Sequence, residues 1–83
     1  MKIKNQTGIH ARPASMIVQK ANNFSSDIFI SKDNREANAK SIMGIMSLGI
    51  SQSTKVTIKA KGEDEKKAVE EIVALIESGF GEK

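Results

Sequence analysis

The sequence contains no cysteine, no tryptophan and no tyrosine, and only one histidine and one proline. Without cysteine there is no disulfide framework, no thiolate metal cluster and no cysteine nucleophile. One histidine leaves no polyhistidine metal site, and no metal or cofactor is expected. The formal charge of +3 and the pI of about 9.3 raise the question of nucleic acid. The basic residues are scattered, however, and there is no tyrosine or tryptophan to stack on bases, so that class is set aside. Apolar runs are only a few residues long, too short to span a bilayer. The opening Met1-Lys2-Ile3-Lys4-Asn5-Gln6 lacks the apolar stretch of a signal peptide. A cytoplasmic protein is expected, with neither a membrane nor a nucleic acid as partner.

What is present is a short chain of ordinary globular composition: 83 residues, 39% hydrophobic and 28% charged. A chain of this length buries only about 60–65% of the surface its unfolded form exposes. That allows one domain over residues 1–83, with one core and one modest site.

Periodicity orders the elements. Residues 54–61 alternate Val56, Ile58 and Ala60 with Lys55, Thr57, Lys59 and Lys61, a strand with one apolar and one cationic face. The cationic face reads as solvated, without a function. Residues 27–32 form a second strand with Ile28 and Ile30 on one side. Asp33 and Asn34 tolerate left-handed backbone angles and make a hairpin turn into a strand at 36–40, with Ala37 and Ala39 inward. Residues 1–6 form a short first strand with Ile3 inward. The helix at 65–78 carries a stripe of Ala68, Val69, Ile72, Val73, Leu75 and Ile76. Asp64 stands at its N-cap position and Gly79 at its end. A helix at 11–22 follows from Ala14, Ile17, Val18 and Ala21, with Pro13 in its first turn. A short helix covers 42–48. The order is β-α-β-β-α-β-α: an α+β fold, an open-faced β-sandwich whose four-stranded, mostly antiparallel sheet is covered on one face by three helices.

His10 lies where strand one meets the first helix. There the N–H groups of Ala11 and Arg12 could hold a phosphate. The positive end of the helix favours a neutral, nucleophilic imidazole. Arg12 supplies a guanidinium for phosphoryl oxygens. Position alone favours a surface histidine that does nothing; Arg12 and the helix N-terminus bring the two readings level. A Ser-His-Asp hydrolase does not fit, since no acid lies near His10 in sequence. Ser41 reads as the N-cap of the short helix, which is its plain structural role. It is also placed for phosphorylation against the helix dipole. Ile42, Met43, Ile45, Met46 and Leu48 are more apolar side chains than a short helix can bury. Met43, with Ile42 or Met46 or both, is expected to stay partly exposed as a docking surface.

Two segments carry a resemblance. Gly8-Ile9-His10-Ala11-Arg12-Pro13-Ala14 resembles the active-site signature of HPr, the histidine-containing phosphocarrier of the bacterial sugar phosphotransferase system. Lys40-Ser41-Ile42-Met43-Gly44-Ile45-Met46-Ser47-Leu48-Gly49 resembles the regulatory-serine motif of HPr from low-GC Gram-positive bacteria. The likeness continues through Gly62-Glu63-Asp64-Glu65 and the last helix. It implies a phosphoryl carrier, not an enzyme. His10 would accept a phosphoryl group on Nδ1 from phospho-Enzyme I and pass it to the IIA domain of a sugar permease, with Arg12 stabilising the group. Ser41 would be phosphorylated by HPr kinase/phosphorylase, and that form would bind the catabolite control protein in carbon catabolite repression. Ile42, Met43 and Met46 would form part of the docking surface. A monomer is expected, because one face must serve many partners. The first strand is shorter than in typical members. Paralogues that keep the serine but lack the histidine act only as regulators; a purely regulatory module is therefore the alternative.

Overall fold

The last helix shows how the core is assembled. Glu65–Glu77 repeats an apolar residue every third or fourth position, so Ala68, Ile72 and Ile76 fall in one line and are fully buried. Gly79, at φ +73°, ends it in the left-handed conformation that glycine adopts without strain. The chain then makes a single turn, Gly79–Gly81, that carries Phe80 into the core.

The computed structural model describes residues 1–3, 9, 11–52 and 54–81. In chain order the elements are α1 (Ala11–Ala21), β1 (Asp27–Lys32), β2 (Arg35–Asn38), α2 (Ile42–Met46), β3 (Thr57–Lys61) and α3 (Glu65–Glu77), followed by the Gly79–Gly81 turn. The strands form an antiparallel sheet in the order β2-β1-β3. Ile28 and Ile30 of β1 point inward, where Ile17, Ile45, Ile72 and Ile76 meet them from the helices. The opposite sheet face carries no helix among the described residues, which gives the open-faced arrangement expected from the one-sided strands.

The helix expected at 42–48 ends at Met46, with Ser47 as its C-cap, and the helices expected at 11–22 and 65–78 each end one residue early, at Ala21 and Glu77; the strands differ more. The strand expected at 36–40 is β2, Arg35–Asn38, because the Asn38 side chain accepts the Lys40 N–H at 2.8 Å and turns the chain early. Ala37 and Ala39 still face inward. The strand expected at 54–61 begins as a ladder only at Thr57. The fourth strand, expected at 1–6, falls partly outside the described residues. Its described part, residues 1–3, runs antiparallel to 54–56 through a single bridge between Lys2 and Lys55. The Ile3 N–H donates to Thr54 O at 3.0 Å and the Val56 N–H to Met1 O at 2.7 Å. The described residues therefore hold a three-stranded sheet with one bridged segment, not four full strands.

Between β1 and β2 the chain reverses in two residues, with Lys32 paired to Arg35 and Asp33 at φ +56°. A second tight point lies between β3 and α3. Gly62 has φ +152°, and a Cβ there would stand 2.7 Å from Ser26 Cα. No helix among the described residues is long and apolar enough to cross a membrane.

Candidate functional site

The two segments singled out in the sequence lie on adjoining helices, since α1 packs against both α2 and α3. His10 lies outside the described residues. The residues on either side of it are anchored. Ile9 is buried, and its N–H donates to Ile50 O at 3.0 Å. Ala11 opens α1, Arg12 follows it on the surface, and the buried Pro13 completes the turn. Amides of a first helical turn point away from the helix's own carbonyl ladder, and proline contributes none.

α2 begins at Ser41, as its composition suggests. Ser41 has extended backbone angles and its Oγ accepts the Gly44 N–H at 3.0 Å. The position has room for little else: a Cβ at Gly44 would lie 3.1 Å from Ser41 Oγ and 3.5 Å from Ala37 Cβ. Of the apolar residues crowded into this stretch, Ile45 and Leu48 go to the core. Met43 is 83% exposed, Met46 44% and Ile42 40%. The expected exposed set is thus present, on both sides of one buried isoleucine.

The far end of α2 is held by residues to which the sequence reading gave no role. Lys32 Nζ donates to the carbonyls of Leu48 at 3.1 Å and Gly49 at 3.0 Å, and Arg35 donates to Ser47 O at 2.7 Å. Both cations sit on the β1–β2 hairpin. They meet the carbonyls of the C-cap Ser47 and of the two residues after it, at the negative end of the helix. Nothing in the local sequence announces this, because the partners are 12 to 17 residues apart.

Asp64 is a correction of a different kind. It occupies the N-cap position of α3, yet its side chain makes no cap hydrogen bond. Its carboxylate reaches back to the turn before β1, accepting the N–H groups of Ser25 and Ser26, each at 3.0 Å, and the Ser26 hydroxyl. The Ser26 hydroxyl, and then the Ser25 amide, hold its carboxyl below the ordinary value of 3.8. The Gly62 N–H is met instead by Glu65 Oε1 at 3.2 Å. No group of histidine and carboxylate side chains that could hold a metal ion occurs among the described residues.

Taken together, the site is an exposed apolar patch beside a capped serine, next to the helix that follows the only histidine. Comparison with known proteins gives this arrangement a family. The sequence model described as "PTS HPr component phosphorylation site" matches residues 1–78. The HPr-like protein Crh of Bacillus subtilis is 49% identical over 77 residues, covering 93% of this chain and 91% of the relative. The crystal structure of HPr-C-His from Thermoanaerobacter tengcongensis is 58% identical, with a TM-score of 0.95 over 100% of this chain and 93% of its own. That of an HPr dimer from the same organism is also 58% identical, with a TM-score of 0.84 over 99% and 94%. The chain belongs to the HPr family of phosphocarrier proteins, which are not enzymes.

Proposed function

We propose that this protein is the phosphoryl carrier between Enzyme I and the IIA domains of sugar permeases. His10 accepts the phosphoryl group on Nδ1; the bond from phosphorus to the donor breaks as the bond to nitrogen forms. Arg12 and the amides of Ala11 and Arg12 steady the phosphoryl oxygens, where a helix N-terminus favours negative charge. The partners supply the rest of each active site. The whole chain acts as one domain, in the cytoplasm and as a monomer, because the same face must serve donor and acceptors in turn.

The observation that carries this reading is α2. Three apolar side chains stand in solvent beside Ser41, on a helix packed against the one that follows His10. A patch of that kind fits a face that meets several partners. Phosphorylation of Ser41 by HPr kinase/phosphorylase would put about 1.5–2 negative charges at its edge. Docking of Enzyme I would weaken, and the catabolite control protein would recognise the modified form.

Intact mass after incubation with Enzyme I and phosphoenolpyruvate tests the proposal. A gain of one phosphoryl group is expected that mild acid removes and His10→Ala abolishes. No gain with active Enzyme I sinks the carrier role. Ser41→Asp is expected to slow that transfer on the order of tenfold or more, and an unchanged rate would refute the regulatory step. The likeness to Crh favours a second reading, a regulator working through phosphoserine alone. Under it, His10→Ala leaves every activity intact.

A further inference from the structure

The cations of the molecule mark a second surface. Lys32, Arg35 and Lys40 donate to backbone carbonyls. Lys20 and Lys67 pair with Glu71, and Lys59 with Glu36 at 3.8 Å. Among the described residues, Lys2, Lys55, Lys61 and Lys66 are the lysines whose side chains have no such partner. All but Lys66 lie on the open face of the sheet.

Register fixes that placement. Lys55, Thr57, Lys59 and Lys61 alternate with the inward Val56, Ile58 and Ala60, and all four are exposed. Lys2 faces Lys55 directly across the bridge. The hydrogen bonds flanking the bridge, from Ile3 to Thr54 and from Val56 to Met1, make it a non-hydrogen-bonded pair. Opposed side chains approach most closely in pairs of that type. Like charges set opposite each other in this way are destabilising, and among the described residues no acid is paired with either of them. Among the described residues, the acids on this face are Asp27, opposite Lys61, and Glu36, already paired with Lys59. The helical layer on the other side is acidic along α3, with Glu65, Glu70, Glu71 and Glu77 against Lys66 and Lys67. The rest of the helical side mixes both signs, and its Lys20, Lys32, Arg35 and Lys40 are engaged with a carboxylate or with carbonyls; three of the four unpartnered lysines among the described residues are on the sheet face.

We propose that the open sheet face is a peripheral docking surface for an anionic lipid bilayer. Lysines that share one open sheet face can enter the surface potential together, within about one Debye length. Flexible ammonium groups suit a fluid array of phosphates. The face carries no arginine for bidentate readout, and its one aromatic ring, Phe29, is half-buried, so nucleic acid is a poorer occupant. The sequence reading expected no membrane partner because nothing spans a bilayer; electrostatic contact needs no span. Seated this way, the protein keeps Ile42, Met43 and Met46 on the helical side, clear of the lipid.

The test is co-sedimentation of the full chain with vesicles of equal phosphatidylglycerol and phosphatidylcholine at low ionic strength. Binding is expected, and it is expected to vanish in high salt and with phosphatidylcholine alone. Lys55→Gln and Lys61→Gln should each weaken it about fivefold, the effect of about one lysine at such a surface. Lys66→Gln, an equal change of net charge on the other side, should leave it within about twofold. The proposal is overturned by absence of binding at low salt, or by an effect of Lys66→Gln as large as that of Lys55→Gln. Tighter binding to a single-stranded oligonucleotide than to the vesicles also overturns it.

Discussion

α2 and α3 solve the same problem in opposite ways. α3 has 13 residues and buries a continuous stripe, so packing holds it, and it dispenses with a side-chain cap. α2 has five residues and turns three large apolar side chains outward. An isolated helix so short does not form in water, and Ile45 alone of its residues is buried. Its ends are therefore tied by polar bonds: Ser41 at the start, Lys32 and Arg35 at the finish. A helix that must show its apolar residues to partners has to be stabilised from its termini.

The comparison can be broken or sharpened by substitution. The largest effect belongs to the packed helix: Ile72→Ala is expected to cost about 2–5 kcal/mol in urea denaturation. A much smaller loss would mean that α3 is not held by its stripe. Asp64→Asn should flatten the acid limb of stability. The Asp64 carboxyl is held below its ordinary 3.8 in the fold, so its contribution is complete above that value and lost as pH falls through the lower folded value. Melting temperatures followed down from neutral pH should fall less steeply for the variant. Ser41→Ala should cost about 1 kcal/mol and speed amide exchange at Gly44 while leaving α3 unchanged. Lys32→Met should cost about 0.5–1 kcal/mol, again confined to α2. Met43→Ser should change stability by no more than about 0.5 kcal/mol while weakening Enzyme I binding in calorimetry. Equal losses of stability at Met43 and Ile72 would erase the distinction between the helices.

Local patterns in the sequence revealed the elements and the exposed patch. The stripe of α3, the alternation along β3 and the Asp33-Asn34 turn each depend on near neighbours, and each is present. The exposure of Met43 was legible because five apolar residues in seven positions exceed what one helical face can bury. Bonds between distant segments were not legible. Asp64 looked like a cap because caps are local; its real partners, Ser25 and Ser26, lie 39 and 38 residues away. Lys32 and Arg35 carry no local mark for the same reason, since their partners lie 12 to 17 residues away. The burial of Phe80 depends on a positive φ of 59° just past α3, which no apolar period marks. His10 and the greater part of the first strand fall outside the described residues, so the histidine remains a reading of sequence and family.

The turn at Gly62 has a consequence for how the chain tolerates change. Its backbone angle excludes ordinary side chains, and a Cβ would strike not only the Ser26 Oγ, at 2.6 Å, but also the Ser26 α-carbon, at 2.7 Å. No exchange at position 26 can remove a main-chain atom, so a substitution at 62 has no suppressor there. In a saturation library screened for folded protein, position 62 should form a single intolerant column between two permissive ones, the exposed Lys61 and Glu63.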